Sequence, residues 1–335
     1  MTTVRANIYA VADRAGVSIA TVSRVQRGIG PVSAETRERV LRAIEELRYT
    51  PSGSGRALAN QRAGAMGIVF PDLSGPYYSE VILGVEEEMV AAGQSLFILG
   101  THGRDRCAEL VLDLMSRVDG LIIMGRTVSD EVVRALEGGR VPLALLARPP
   151  VDDIPSVRAE SLRPAIALTE HLLAHGHERL AFIGDPASSS DAEERWRGFA
   201  QALGDRAGEP FAAAFGEAEG RLAATRALAT GATALLCASD ELALGAYRAA
   251  RARRLRIPED IAITGWDDIQ LARFVSPALT TVRQPMRELG AATARLLFER
   301  IAGAAPDSAV LASDVVIRAS CGCEPLSDEE EESHQ

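Results

Sequence analysis

The sequence predicts two folds in series: an all-α helix-turn-helix headpiece, then an α/β core with parallel sheets in two lobes. Three observations support this prediction. Residues 8–47 carry apolar side chains at helical spacing. From Ala65 onward, short apolar runs alternate with helical segments, which is typical of buried parallel strands covered by helices on both faces. The stretch between Arg62 and Ser320 is too long for one such sheet, so we expect two lobes.

The first 50 residues should form three short helices. Gly16 can make the tight turn after the first helix because it has no Cβ. Ser18 and Ser33 can cap the second and third helices, since each hydroxyl can accept a hydrogen bond from the exposed N–H groups of a first turn. The apolar residues that we expect to form the core of this unit are Ile8, Val11, Ala12, Val22, Val25, Val40, Leu41, Ile44 and Leu47.

The second helix should have an outward face of small, hydroxylic and arginine side chains. With its valines turned inward, this helix presents Ile19, Ala20, Thr21 and Arg24. Such a face suits the major groove of DNA, because short side chains allow close approach and Arg can bond both O6 and N7 of guanine. The alternative is a small helical bundle that binds no ligand. The pattern favours DNA binding over that bundle.

Charge is distributed unevenly along the chain. A net charge of −10 would argue against a nucleic-acid partner if it were spread evenly. Residues 1–62, however, contain ten Arg and five acidic residues, a net charge of +5, which leaves −15 on the remainder. A basic head on an acidic body is expected of a protein that binds DNA through one part and is regulated through the other. The acidic part should be repelled by phosphates.

The core should contain nine strands before its last long helix. The predicted strands are 65–70, 95–101, 120–124, 142–147, 179–185, 211–215, 233–239, 261–266 and 279–284. Their order indicates a first lobe near residues 63–160 and a second near 161–285. A helix over 286–301 should return to the first lobe, and 310–319 should add a last strand to the second.

A ligand cleft is expected between the two lobes. Open parallel sheets bind ligands beyond the carboxyl ends of their strands, and in two facing lobes these ends meet across a cleft. Aromatic rings with convergent Arg, Asp and Gln side chains suit a hydroxyl-rich or planar polar small molecule. Each such residue could equally be an ordinary loop or cap residue. The candidates close after the strands are Tyr77, Tyr78, Arg148, Glu160, Ser161, Arg195, Ser239, Asp240, Trp266, Asp267 and Gln284.

Metal-binding and catalytic motifs are weak. Cys321-Gly-Cys323 could chelate a metal, but no further cysteine or histidine pair lies at finger spacing from it. His171 and His175 have a ligand spacing on a helix, but no Glu follows His171 as in a zinc-protease motif. We therefore expect no metal and no cofactor. We also expect no enzymatic activity, because nothing combines a nucleophile with a base and its orienting partner.

Two stretches of the head carry a family resemblance, DRAGVSIATVSRV and VSAETRERVLRAIEELRYTP. They resemble the DNA-binding headpiece of the lactose-repressor (LacI/GalR) family of bacterial transcriptional regulators. Core motifs are similar to the same family: GIVFPDLSGPYYSEVILGVEE, TEHLLAHGHERLAFIGDP, CASDELALGAYRAA, IPEDIAITGWDD and LTTVRQP. The resemblance covers essentially residues 8–320. It implies a core like that of periplasmic binding proteins.

The expected division of the chain follows from this resemblance and from composition. Residues 1–50 would be the helix-turn-helix DNA-binding headpiece, and residues 51–63 a hinge linker or helix. Residues 64–323 would form the two-lobed effector-binding and dimerisation domain. Residues 324–335, which are rich in Glu, would be an acidic disordered tail.

The resemblance also implies how the headpiece contacts DNA. Ile19, Ala20 and Arg24 would reach base edges. Leu58 of the hinge would insert into the minor groove as an apolar wedge that kinks the duplex, whereas the alternative for this stretch is a flexible tether. Arg27 stands where many relatives have Asn, which changes one contact and part of the operator sequence. The residues that would contact phosphates are Ser18, Thr21, Ser23, Ser33 and Tyr49.

In the core, the resemblance implies effector contacts whose identity does not follow from relatives. Three departures change donors or acceptors in the cleft: Ala147 before Arg148, the pair Glu160-Ser161, and Ser239. A sugar is the commonest effector in the family. The positions that match the family's effector contacts are Tyr77, Tyr78, Arg195, Trp266, Asp267 and Gln284.

The function that the resemblance implies is a ligand-responsive repressor that binds a near-palindromic operator in double-stranded DNA as a homodimer. No leucine-heptad helix of the kind that family tetramers use follows Cys323. No signal peptide precedes the headpiece and no apolar run could span a bilayer, so we expect a cytoplasmic, nucleoid-associated protein without membrane contact. The alternative is a solute-binding protein, which would need an export signal and no basic head. An enzyme is less favoured still.

Overall fold

The computed structural model describes residues 7–49, 63–104, 106–139 and 141–323. They belong to two compact units, one ending at Gly64 and one beginning at Ala65. Hinge residues 51–62, which include Leu58, and the tail 324–335 lie outside the described residues, as does the side chain of Arg27. Within the described ranges, every helix is too short or too polar to cross a bilayer.

The first unit contains the helices α1 (Ile8–Ala15), α2 (Ile19–Arg27) and α3 (Ala34–Glu46). The turn after α1 lies at Gly16, whose φ of 65° is a left-handed conformation that glycine adopts without strain. Ser18 Oγ accepts a hydrogen bond from the Thr21 N–H at 3.2 Å, and Ser33 Oγ accepts one from the Thr36 N–H at 3.3 Å. The predicted helices, the turn and both caps are confirmed.

The core of the headpiece is small and apolar. Its buried members are Val11, Ala12, Ala15, Val22, Val25, Val40 and Ala43, with Ile8, Ile44 and Leu47 partly buried against them. The prediction that Leu41 belongs to this core is wrong, because its side chain is 52% exposed. Leu41 follows the buried Val40 by one position, and one residue turns a helix by about 100° away from the buried stripe.

The second unit alternates strands with helices, as predicted. Its strands are β1 (Ala65–Phe70), β2 (Ser95–Gly100), β3 (Gly120–Met124), β4 (Leu143–Leu146), β5 (Ser156–Ala159), β6 (Leu180–Ile183), β7 (Ala234–Cys237), β8 (Ala262–Thr264), β9 (Thr281–Arg283), β10 (Ala309–Leu311) and β11 (Asp314–Val316). Its α-helices are α4 (Pro76–Ala91), α5 (Cys107–Met115), α6 (Asp130–Glu137), α7 (Leu162–Ala174), α8 (Ser190–Leu203), α9 (Glu217–Ala229), α10 (Asp240–Ala252), α11 (Leu271–Phe274) and α12 (Met286–Ile301).

The first lobe is a six-stranded parallel sheet in the order β10-β5-β4-β3-β1-β2. Strands β1, β3 and β4 are buried on both faces, which explains their continuous apolar sequences. Helix α12 packs on α4 in this lobe, which confirms the predicted return of residues 286–301. Gly84 and Gly290 allow that contact to be close, since a Cβ on either would overlap the backbone of the facing helix.

The second lobe is a three-stranded parallel sheet in the order β6-β7-β8, with a core that includes Phe182, Phe199 and Trp266. The predicted strand over residues 211–215 is wrong. Only Phe211 forms an isolated bridge, to Ile183 at the end of β6. Because β6 ends there, the residues after Phe211 have no neighbouring strand to pair with.

The C-terminal stretch is shared between the lobes rather than added to one of them. The prediction of a single strand over 310–319 in the second lobe is wrong. Strand β10 pairs with β5 of the first lobe, and β11 pairs antiparallel with β9. Ala312 and Ser313 carry the chain from one pairing to the other. The sequence did not predict β5 because half of its four residues are polar.

Candidate functional site

The outward face of α2 consists of residues predicted to contact DNA. Ile19, Ala20 and Arg24 are exposed, whereas Val22 and Val25 are buried on the other side of the helix. The helix contains no acidic residue. It therefore presents short side chains beside an exposed guanidinium, a surface that a negatively charged groove can approach closely.

The hydroxyl groups predicted to contact phosphates lie mainly at two helix N-termini. Ser18 Oγ is 3.0 Å from Thr21 Oγ1 at the start of α2, and Ser33 Oγ donates to Thr36 Oγ1 at 2.8 Å at the start of α3. Exposed backbone N–H groups and the helix dipole attract anions at such positions. Ser23 is half-buried on α2, and Tyr49 is partly buried against the headpiece core.

In the second unit, a cavity lies between the lobes at the carboxyl ends of their strands. It contains about 760 Å³ of empty space, counting the part open to solvent. Six of the residues predicted for the cleft line this cavity. They are Tyr77, Tyr78, Arg195, Ser239, Asp267 and Gln284.

Arg195 of α8 provides a buried positive charge in the wall of the cavity. Its side chain is 4% exposed, and its Nη1 donates to the Ala238 carbonyl oxygen at 2.6 Å. The guanidinium carbon lies 4.6 Å from the ring centroid of Trp266, a cation–π distance. Trp266 itself is fully buried. Its ring therefore holds Arg195 in place, and it is not among the residues that line the cavity.

A buried carboxyl group, Asp267, and a half-buried one, Asp191, lie near Arg195. Burial raises the pKa of Asp267 to about 7, although Arg195 and a hydrogen bond from Gln284 lower it. That bond, from Gln284 Nε2 to Asp267 Oδ1, measures 2.5 Å. Burial also raises the pKa of Asp191 to about 6, against the opposing effect of Arg195. Both groups can therefore change charge near neutral pH.

Several buried polar atoms at this wall have no hydrogen-bond partner among the described residues. They are Arg195 Nε, Asp191 Oδ1 and Gln284 Oε1. Buried polar atoms in folded proteins are nearly always paired, and leaving one unpaired costs about 1–3 kcal/mol. Arg195, Asp191 and Gln284 all line the cavity, and one donor with two acceptors suits a ligand with several hydroxyl groups, since each hydroxyl can donate and accept.

The backbone around the cavity is strained at non-glycine residues. Positive φ angles occur at Arg126 (66°), Ala147 (51°) and Asp267 (115°), and all three residues line the cavity. Such conformations cost on the order of 1–3 kcal/mol each and cluster at binding sites. Asp240 supports the loop that carries Asp267, since its Oδ2 accepts a hydrogen bond from the Ile269 N–H at 2.8 Å.

Among the other residues that line the cavity, three that were not predicted from the sequence are Arg126, Asp191 and Phe215. Arg126 joins the lobes, because its guanidinium carbon lies 4.7 Å from the ring centroid of Phe215 in the second lobe. The sequence did contain signals for two of them. Arg126 closely follows β3, as other candidates follow their strands, and Asp191 precedes Arg195 by one helical turn.

Five predicted residues do not line the cavity: Arg148, Glu160, Ser161, Asp240 and Trp266. Arg148 donates to the Val128 carbonyl oxygen at 3.0 Å and pairs with Asp130. Glu160 pairs with Arg163, whose Nη2 donates to its Oε2 at 2.9 Å. Both side chains are satisfied within their own neighbourhoods, and neither lines the cavity.

Comparison with known proteins finds two family matches along the chain. Residues 7–52 match the lacI family of bacterial regulatory proteins, and residues 169–321 match a periplasmic binding protein-like domain. The ribose operon repressor of Halalkalibacterium halodurans is 35% identical, over 90% of this chain and 91% of its own length. The transcriptional repressor PurR of Pasteurella multocida is 34% identical, over 94% of this chain and 98% of its own.

Solved structures of related proteins extend this likeness to the whole fold. The lac repressor dimer bound to operator and the anti-inducer ONPF is 31% identical, with a TM-score of 0.84 over 95% of this chain and 99% of that one. A LacI-family regulator from Enterococcus faecalis with bound ribose is 26% identical, with a TM-score of 0.72 over 78% of this chain and all of that one. With this likeness along nearly its whole length, the chain belongs to the LacI family of bacterial regulatory proteins.

Proposed function

We propose that this protein is a ligand-responsive transcriptional repressor whose affinity for operator DNA depends on a small molecule in the interlobe cleft. The observation that carries the proposal is the set of unpaired buried donors and acceptors in the wall of that cleft. The second unit would sense a polar ligand. The first unit would bind DNA through the exposed face of α2, a helix that contains no acidic residue. Two similar proteins, from Halalkalibacterium halodurans and Pasteurella multocida, are named repressors.

On the DNA side, α2 would lie in the major groove. Ile19 and Ala20 would contact base edges through short apolar side chains, and exposed Arg24 would bond a guanine. Arg27 would add a contact at the end of the same helix. Leu58 would part a base step in the minor groove. The phosphate contacts would come from Ser18, Thr21, Ser23, Ser33 and Tyr49, and they would set the register of the helix on the duplex.

A homodimer would place two headpieces on the two halves of a near-palindromic operator. Half-sites of this kind lie about 34–36 Å apart. The first lobe has an apolar surface that a second copy could cover: Phe97 and Ile98 on the edge strand β2 are 45% and 44% exposed. Val90 of α4 and Leu112 of α5, on helices that pack against β2, are exposed as well. The lac repressor bound to operator is a dimer.

The effector would be a neutral, hydroxyl-rich molecule such as a sugar. Four acidic residues and two Arg line the cavity, so an anion would be repelled more than attracted. Asp191 and Asp267 would accept hydrogen bonds from ligand hydroxyls, Arg195 would donate one, and Gln284 would accept another. Tyr77 and Tyr78 would cover the apolar face of a sugar ring. The Enterococcus faecalis relative contains ribose.

Regulation would pass through lobe closure to the hinge. A ligand held between Arg195 and Tyr78 would change the angle between lobes, and a change in the first lobe would bias the hinge of residues 51–63. If residues 51–63 form a helix on the operator, Gly53 and Gly55 would each destabilise it by about 1 kcal/mol relative to Ala. An inducer would favour the disordered hinge, and a corepressor the ordered one. We propose no enzymatic activity and a cytoplasmic location, as expected of a regulator that works on chromosomal DNA.

The test begins with selection of bound sequences from a random duplex library by the full chain. We expect a near-palindromic sequence. Fluorescence anisotropy on that duplex, titrated with a panel of neutral sugars, sugar phosphates and purines, should reveal a neutral sugar that changes operator affinity at least about fivefold. If no small molecule changes operator affinity, the effector half of the proposal is wrong; selection of single half-sites would contradict the dimer.

An Arg195→Met variant separates ligand sensing from DNA binding. It should bind the selected operator normally but lose the response to the sugar, because the buried donor to the ligand is gone. Arg163→Ala is the matched control, since Arg163 is exposed and pairs with Glu160 away from the cavity. A normal response in the Arg195 variant would contradict the proposed ligand position.

A further inference from the structure

A cluster of sulfur and imidazole ligands lies in the second lobe, at the end opposite the cleft. Cys321 is 1% exposed and packs with Leu172, Ala234 and Ala262. Ala234 and Ala262 begin β7 and β8, whereas the effector cleft lies beyond the carboxyl ends of the same strands. The cluster therefore has no part in the cleft or in the headpiece.

Two sequence motifs that predict no metal separately are brought together here. His171 and His175 lie one turn apart at the C-terminal end of α7, with ring centroids 4.6 Å apart. Cys321 and Cys323 lie in the segment that follows β11. Gly322 between them has a φ of 99°, a conformation that glycine adopts readily and that folds the two cysteines onto one side.

The distances between ligand atoms match a tetrahedral metal site. His171 Nε2 is 3.3 Å from Cys321 Sγ and 3.6 Å from Cys323 Sγ, and His175 Nε2 is 3.2 Å from Cys323 Sγ. In a tetrahedral zinc site with Zn–S near 2.3 Å and Zn–N near 2.05 Å, the N···S separation is about 3.5 Å. His171, Cys321 and Cys323 offer atoms that all lie within 4.8 Å of one another.

We propose that His171, Cys321 and Cys323 bind a thiophilic divalent metal ion of the Zn²⁺ class, with His175 as the fourth ligand. His175 lies outside the preformed group of three, but its side chain is exposed and already contacts Cys323, so a rotation of the side chain can bring it to the metal. Two thiolates and two imidazoles are a donor set typical of structural zinc and unsuited to Mg²⁺ or Ca²⁺, which prefer oxygen.

An outer partner of the site is present. The Thr280 hydroxyl lies 3.1 Å from Cys321 Sγ, where it can donate a hydrogen bond to a metal-bound thiolate. The metal would join α7 to the segment after β11, and that segment also contacts the sheet, since Ser320 Oγ donates to the Ile263 carbonyl oxygen at 2.6 Å. The ion would therefore fasten the C-terminal segment to the second lobe.

The test uses the full chain, reduced and stripped of metal by a chelator. Titration with Co²⁺ should give the absorption bands of a tetrahedral thiolate complex, saturating at one ion per chain, and Zn²⁺ should displace them. His171→Gln and Cys323→Ser should each lower the affinity for Co²⁺ by at least about tenfold, a loss that even an outer partner can cause. Both positions are half-buried, and circular dichroism checks that each variant is folded.

Two matched controls lie outside the cluster: Cys107→Ser, the half-buried cysteine of α5, and His177→Gln, the histidine two positions after His175. Both should bind Co²⁺ like the natural chain. The proposal is overturned if the reduced, folded chain gives no such bands, or if the bands persist undiminished in both ligand variants. It is also overturned if mass spectrometry finds a Cys321–Cys323 disulfide in the oxidised chain and the reduced chain binds no Co²⁺.

Discussion

The headpiece and the cleft place their functional side chains in different ways. In the headpiece, the surface proposed to contact bases is one face of a single helix, and its cap, Ser18, precedes it directly. In the cleft, Tyr78, Arg126, Arg195 and Asp267 come from separate strands and helices of two lobes. The first surface depends on local hydrogen bonds and a few core contacts. The second depends on long-range packing, so damage far from it in sequence should reach it.

The largest effect should come from Asp268→Ala in the core. The buried Asp268 carboxylate pairs with Arg283 at 2.7 Å and with buried Arg318 at 2.8 Å, which joins β9 to the segment after β11. Removal of the carboxylate leaves a buried positive charge without its partner. The free energy of unfolding of the second unit should therefore fall by about 3–5 kcal/mol. Urea denaturation followed by tryptophan fluorescence measures this, because both Trp lie in the core unit.

The headpiece provides the comparison for this variant. The headpiece helices should unfold at the same urea concentration with or without the Asp268 carboxylate. The reason is that the headpiece has a small apolar core of its own. Asp260→Ala is the control, since Asp260 pairs with Arg256 at the surface and this substitution should change the free energy of unfolding little. A simultaneous shift of the headpiece transition would show that the two units unfold together.

Arg24→Ala should change DNA binding without changing the core. Loss of a bidentate guanine contact costs about 1–3 kcal/mol at one base position. Competition with operators mutated at each position measures the loss. Arg39→Ala, on the exposed side of α3, is the control and should change affinity little. Equal weakening on all sequences would identify Arg24 as a phosphate contact instead.

The free energy of unfolding of the second unit should depend on pH through the Asp267 carboxyl group. Burial raises its folded-state pKa to about 7, above its ordinary value of 3.8. The folded state then holds a proton that the unfolded state has lost, so the free energy of unfolding should fall as pH rises from about 4 to about 7. Asp267→Asn should flatten this slope in urea titrations at several pH values.

Asp260 should change stability with pH in the opposite direction to Asp267, and it serves as the internal control. Hydrogen bonds from Arg256 lower its pKa to about 2, so its contribution is present above pH 4 and is lost as pH falls towards 2. Asp260→Asn should therefore leave the slope between pH 4 and 7 unchanged. An undiminished slope in the Asp267 variant would assign the whole effect to another carboxyl group, such as Asp191, whose pKa burial raises to about 6.

The smallest effect should come from the cap of α2. Ser18→Ala removes the hydroxyl that accepts from the Thr21 N–H, and the headpiece should lose about 1 kcal/mol. Ser18→Gly should cost only a few tenths of that amount, since glycine also suits this position. Both variants lose the proposed phosphate contact of the Ser18 hydroxyl, so both should lose the same operator affinity. Their thermal stabilities should differ, because only the cap of α2 distinguishes them. The two measurements together separate the capping role from the phosphate contact.

The accuracy of the sequence predictions depends on whether the signal for a feature is local or comes from distant residues. Strands β1 and β3 and helix α12 have the predicted bounds, because long apolar or amphipathic runs are strong local signals. The predicted strand over 211–215 was wrong because pairing depends on neighbouring strands that the sequence does not show. The predicted burial of Leu41 was wrong because Leu41 lies one position off the buried stripe that contains Val40. Arg148 follows its strand as Arg126 does, yet a carboxylate in its own lobe, Asp130, holds it away from the cavity.

By itself, the sequence determined the order of helices and strands, the caps at Ser18 and Ser33, the basic head on an acidic body, and the family. These follow from periodicity, turn chemistry and composition, which act over a few residues or over totals. Only the tertiary structure decided which polar side chains share the cleft, and that Cys321 and Cys323 lie against His171. Those contacts join residues far apart in the chain, and their free energy depends on burial and distance, which a linear pattern does not contain.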